Sequence, residues 1–226
     1  MIRKILFSII IFLTALAYAG AVEPYFCTRQ GTRLRYVRTD AGDGTIVWKH
    51  TMGIDGISED EGKTLVRYNS LFTKAGGGRM YGGPVSLTVR VSADGDVHMS
   101  VAESLASVFA NVVGARNVRQ EGGVTILPSD MKPGDLLPDI TGSASAGPLK
   151  ITVSVTDRKV LREETLKTPA GTFECVVVQE HKVEKGVRNR VTTARTWYAR
   201  GVGMVRHDTY DRNMKLDTSE VLQAID

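Results

Sequence analysis

Apolar and polar residues alternate along most of the chain, in short runs rich in Val, Ile, Thr and aromatic residues that end at Gly, Asp or Asn. The runs are Gly31 to Arg38, Thr45 to Ile54, Thr64 to Phe72, Val85 to Ser92, Val97 to Val101, Gly123 to Leu127, Leu149 to Val155, Lys159 to Thr165, Gly171 to Glu184, Arg188 to Tyr198, Gly203 to Tyr210 and Lys215 to Ile225. A period of two places every second side chain on one face of a strand. So many short runs at even spacing predict a mostly β protein, an antiparallel meander forming a curved sheet or open β-barrel. Asp43-Gly44, Asp94-Gly95 and Lys185-Gly186 fall between runs, where a residue tolerant of positive φ permits a tight hairpin, and Asp211-Arg212-Asn213 supplies another turn. These links are too short for the crossovers of a parallel sheet.

Two stretches depart from the alternation. Apolar residues at Val101, Leu105, Val108, Phe109 and Val112 follow helical spacing, with Ala102, Ala106 and Ala110 among them, and predict one short helix around 101–113 whose apolar face covers the core. Its polar side lacks the basic residues of a helix that lies in a membrane surface. The segment Pro128 to Pro148 carries four prolines, which remove donors and fix φ, so it reads as a long loop or a strand interrupted by turns. A single β-rich domain over 20–226 is expected, with a division into halves at 20–122 and 123–226 left open.

The N-terminus assigns a compartment. Met1-Ile2-Arg3-Lys4 is a short basic region, Ile5 to Ala19 is an apolar run of fifteen residues, and Ala17-Tyr18-Ala19 fits the small-x-small rule of signal peptidase. Residues 1–19 therefore read as a cleaved signal peptide. A spanning helix needs about 20 apolar residues, and Glu23-Pro24 ends the run too soon. A lipoprotein signal would put Cys at the cleavage point, whereas the first cysteine is Cys27. The expected location is the periplasm or cell envelope of a Gram-negative bacterium.

The chain has 226 residues, 42% hydrophobic and 24% charged, which excludes disorder and collagen-like repeats. Loss of Arg3 and Lys4 with the signal lowers the formal charge from +4 to +2. The remaining basic residues are scattered among apolar and acidic neighbours rather than clustered on one face, so nucleic acid is not an expected partner.

Candidate chemistry is sparse. Cys27 and Cys175 make one disulfide possible in an oxidising compartment, the alternative being that Cys175 is a small buried residue. There is no CxxC, HExxH or Cys/His cluster for a metal and no Gly-x-Ser-x-Gly elbow. The glycine-rich Lys74 to Gly83 leads into a strand rather than a helix, which excludes a phosphate loop. Asp94-Gly95-Asp96 lacks the rest of a calcium loop. His50, His98, His181 and His207 fall on four different strands, with no metal-ligand spacing. No catalytic residue, metal or cofactor is expected.

The most distinctive pattern is in the C-terminal third. Thr168-Pro169-Ala170-Gly171-Thr172-Phe173-Glu174-Cys175 places a turn at Pro169 to Gly171 and anchors the next strand with Phe173; Trp197-Tyr198-Ala199-Arg200-Gly201-Val202-Gly203-Met204-Val205 ends one strand on two large rings and turns on Gly201 and Gly203. With Tyr210-Asp211 and, more loosely, Leu127-Pro128 to Leu137-Pro138-Asp139, these elements resemble the exported bacterial family known as domain of unknown function 3108 (DUF3108-like), some of whose relatives are labelled TapB-like. The resemblance covers about residues 123–226. It implies a curved antiparallel sheet or open barrel in the bacterial envelope, similar to lipoprotein-carrier folds, and brings no catalytic residues. The expected function is a noncatalytic envelope protein that binds an apolar ligand, a lipid or lipid-linked glycan, or a partner protein on a curved sheet. The alternative is a structural or assembly factor of an outer-membrane or secretion complex.

Overall fold

The computed structural model describes residues 22–115, 117–186 and 189–226; the expected signal peptide lies outside them. The alternating pattern becomes fourteen strands and one helix: β1 (Arg33–Asp40), β2 (Ile46–Asp60), β3 (Lys63–Thr73), β4 (Val85–Val91), β5 (Val97–Ser100), α1 (Val101–Val113), β6 (Arg119–Gly122), β7 (Val124–Leu127), β8 (Leu136–Leu137), β9 (Ile140–Ala146), β10 (Leu149–Thr168), β11 (Gly171–Gly186), β12 (Arg190–Ala199), β13 (Gly203–Tyr210) and β14 (Leu216–Ile225). All pairings are antiparallel, and the strands form one sheet in the order β6, β9, β10, β11, β12, β13, β14, β1, β2, β3, β4, β5, β7, with β8 beside β10. The two ends of this path, β6 and β7, are separated in sequence only by Gly123. One bent segment thus pairs with β9 on one side and β5 on the other, and the sheet is a nearly closed barrel.

Two meanders, β1 to β5 and β9 to β14, meet along β1 and β14. The runs 149–155 and 159–165, expected as separate strands, are one strand, β10. Its register slips between Thr156 and Lys159 and between Val160 and Arg162, and Asp157 sits at φ 53°. Such irregularities bend a strand without ending it. β9 lies inside the proline-rich stretch expected to be irregular. Its sequence, ITGSASA, is too small and polar to announce a strand, and its place is fixed by pairing with β10 from Ile140 to Ala146.

Helix α1 begins where the Ser100 hydroxyl accepts from Glu103 N at 3.1 Å and ends at Gly114, φ 68°, the N-cap and left-handed C-cap that helices favour. It packs on β9 at Gly142, where a Cβ would come within 2.8 Å of Val101 Cγ1. Ala102 and Phe109 are buried, but Val108 and Val112 are exposed. The buried face is therefore rotated from the expected stripe, because the helix lies against β9, β6 and β4 rather than flat over the core.

Inside the barrel the alternation sorts side chains by height. One end is apolar, with Leu34, Tyr36, Met52, Val66, Tyr68, Val205 and Leu222 buried around Tyr25, Phe26 and Cys27 of the N-terminal segment. The other end carries buried Arg38, His50, Ser70, Thr209, Thr218 and Glu220.

Candidate functional site: a recess at the strapped end of the barrel

Residues preceding β1 cross the apolar end of the barrel as a strap. Gly201 N donates to Pro24 O at 2.8 Å, Phe26 meets Tyr68 edge to face with ring centres 5.3 Å apart, and Gly203 lies against the Phe26 backbone. Gly201 and Gly203 have φ of 66° and 94°. At Gly201 a side chain would also run into Glu23. The two glycines thus turn the chain, as their motif suggested, and also make room for the strap.

Beside the strap opens a recess of about 630 Å³. Its apolar surface comes from Tyr25, Met131, Phe173, Val176 and Ala199; its charged groups are Asp130, Lys132, Glu163, Glu174 and Arg200. The Pro169-Ala170 turn, held by Ala170 N donating to Thr168 Oγ1 at 3.1 Å, brings Phe173 and Cys175 into the lining. The end of β12 brings Ala199 and Arg200. Two motifs separated in sequence therefore converge on one cavity. Arg200 Nη1 donates to Glu23 O at 2.9 Å, Nη2 donates to Ser129 O, and the guanidinium stacks on Tyr25. Its donors hold the strap, which leaves Asp130, Glu163 and Glu174 facing a single lysine.

Cys27 and Cys175 are both buried, and each is present as a free thiol. Cys27 sits in the core beside Tyr36, while Cys175 belongs to the recess wall, its thiol directed to Phe173 O at 3.6 Å. Burial, with Glu164 and Glu174 nearby, pushes the Cys175 thiol up to about 12. Trp197 and Tyr198 line no part of the recess. Trp197 is buried under the Arg206 guanidinium, 4.9 Å from its ring centre, and Tyr198 is half-buried, near Glu180 and Arg158.

The polar end of the barrel holds a network that no motif signalled. His50 Nδ1 donates to Glu220 Oε1 at 3.1 Å, and its Nε2 accepts from Ser70 Oγ at 3.1 Å. Arg38 pairs with Glu220 Oε2 at 3.4 Å and donates to Thr209 and Thr218. The imidazole stacks on Phe72 and Tyr36, with ring centres 4.3 and 5.2 Å away. Burial raises the Glu220 carboxyl, but the His50 hydrogen bond and the neighbouring Arg38 and His207 more than offset this, leaving it below its usual range. The order Ser70, His50, Glu220 matches that of a nucleophile relay. Ser70, however, is 5% exposed, belongs to neither the recess nor the small surface pocket near Asp217, and faces packed side chains. The network satisfies a buried carboxylate. Only the period-two placement of Arg38 after Leu34 and Tyr36, and of Glu220 before Leu222, could have indicated it. Among the described residues no cluster of His, Cys, Asp or Glu is arranged to hold a metal ion.

The same architecture is found in solved structures. A Bacteroides fragilis protein described as exported, with a YmcC-like fold, is 24% identical and superposes with a TM-score of 0.73 over 90% of this chain and 99% of its own. A Parabacteroides distasonis protein described as a lipoprotein is 18% identical, with a TM-score of 0.74 over the same shares of the two chains. A comparison with curated proteins found no match. The DUF3108-like family model matches residues 29–222, which takes in both meanders as far as Leu222, the recess apart from Tyr25 and the whole buried network, and the chain belongs to the DUF3108-like family.

Proposed function

We propose that this protein is a noncatalytic component of the Gram-negative cell envelope that holds the apolar part of an amphipathic lipid, or of a lipid-linked glycan, in the recess beside Tyr25. The observation that carries this reading is the convergence of Phe173 and Cys175 from one motif with Ala199 from another around a cavity of about 630 Å³, a size typical of small-molecule sites. The many side chains buried inside the barrel, from Leu34 at one end to Glu220 at the other, favour the recess over the interior as the place for a ligand. Export is supported by the N-terminal sequence and by the descriptions of the two structural neighbours as exported and as a lipoprotein. A role as a structural or assembly factor is favoured by one other feature, the outer edge of β10 from Leu161 to Thr168, which has no backbone partner among the described residues.

Native mass spectrometry with lipid extraction, on protein purified from the periplasm without denaturation, tests the reading. An adduct of lipid or glycolipid mass is expected, and Phe173→Glu should abolish it in protein that is less stable but still folded by circular dichroism. A bare polypeptide, or an adduct indifferent to Phe173→Glu, overturns the recess as a lipid site.

A further inference from the structure

Beyond whatever fills the recess, we propose that two copies of this chain pair edge to edge along residues 162–168 of β10, antiparallel about a two-fold axis at Thr165. The barrel leaves few free edges. On its outer side β10 pairs with β9 from Leu149 to Val155 and with β8 at Arg158 and Lys159. Val160 then exchanges hydrogen bonds with Gly134 and Asp135. From Leu161 to Thr168 the outer edge has no backbone partner among the described residues, although β11 pairs with the inner edge as far as Gly171. β6 and β7, the ends of the sheet, are only four residues long.

The hairpin sets which groups are free. Its two-residue loop makes Thr168 and Gly171 a hydrogen-bonded pair. The backbone groups of Thr168, Leu166 and Glu164 therefore turn to β11, and those of Lys167, Thr165 and Glu163 turn outward. Unpaired groups alternating along a strand fit another strand. Charge then selects the occupant. With the axis at Thr165, Glu163 faces the partner's Lys167, Lys167 faces the partner's Glu163, and Thr165 faces the partner's Thr165. An axis at Glu163 or at Lys167 would set like charges face to face. Neither Glu163 nor Lys167 has an ion-pair partner within its own chain among the described residues. Charged side chains usually deter pairing at an edge; here they match in one register, which makes the contact isologous and closed.

Sedimentation velocity on the mature protein at low ionic strength tests this. A monomer–dimer equilibrium is expected. Glu163→Lys and Lys167→Glu should each weaken it about tenfold, since two cross-strand pairs turn from attraction to repulsion, and the double reversal should restore it. At concentrations where the wild type is monomeric all four proteins should melt alike, because both positions are exposed. A wild-type protein that stays monomeric up to its solubility limit, or a dimer indifferent to the single reversals or not restored by the double one, overturns the proposal.

Discussion

The Arg200 guanidinium lies 4.6 Å from the centre of the Tyr25 ring while donating to the carbonyl oxygens of Glu23 and Ser129. One side chain thus fastens the N-terminal strap to the end of β12 and to the segment after β7. Its head group is partly in water, so the contacts are worth less than buried ones. Arg200→Ala should cost about 1 to 2 kcal/mol by denaturant melts. Amide exchange should quicken at residues 24–27 before the β1–β14 pairing loosens. Arg200→Lys should recover little, because an ammonium cannot span two carbonyls and stack in the same way. Uniform loss of protection across the barrel would show that the strap is not a separate unit.

Both cysteines should be counted as thiols. Cys27 is 0% and Cys175 3% exposed, which keeps both sulfurs out of a reagent's reach, and burial also pushes the Cys175 thiol up, away from the thiolate that reacts. Native protein should release almost no thionitrobenzoate from Ellman's reagent, and denatured protein purified without reductant should release two equivalents. Zero equivalents after denaturation would establish the disulfide instead.

Some of this was written plainly in the chain and some was not. β1 and β3 follow from periodicity because each presents one face to the core, and the alternation of Leu34, Tyr36 and Arg38 with Arg33, Arg35 and Val37 is that face; the helical spacing located α1 but not the side it buries, since the helix packs on β9, β6 and β4. β9 escaped because small residues carry no periodic signal, and Gly142 serves the approach of α1, which depends on tertiary packing. The turn role of Gly201 and Gly203 was legible, but not their service to the strap, since hydrogen bonds such as Gly201 to Pro24 join residues nearly the whole chain apart. The recess was half visible: its motifs stood out, while Tyr25, Met131 and Glu163 reach it only through the barrel's closure. The Glu220 network was hidden for the same reason, because its members come from β1, β2, β3, β13 and β14.

That network makes a sharp energetic prediction. Glu220 is 5% exposed and satisfies both His50 and Arg38, so truncating it leaves the buried Arg38 cation without its carboxylate. Glu220→Ala should destabilise by about 3 kcal/mol or more. The paired replacement Arg38→Met with Glu220→Leu should be far milder than the sum of the single changes, because no charge is left stranded. Urea melts of the four proteins close the cycle, and simple additivity would mean that the two residues are not energetically coupled.

The acid limb of stability should be set first by His207. Burial, reinforced by the Arg38 cation, lowers its pKa from the ordinary 6.5 to about 4, and its Nδ1 lies 2.8 Å from Thr196 Oγ1. Between these two values the unfolded chain holds a proton that the folded one refuses. Protonation therefore favours unfolding, and stability must fall as pH drops from about 6.5 toward 4. The carboxyl of Glu220 is held below its usual range, so its contribution persists through most of that window and is lost only at lower pH. His207→Gln can keep a hydrogen bond to Thr196 but has no proton to gain. Urea melts should then show the wild type losing on the order of 1 to 2 kcal/mol between pH 6.5 and 4.5, while the variant stays nearly level across the same interval. Equal slopes for the two proteins would assign the acid sensitivity to another group.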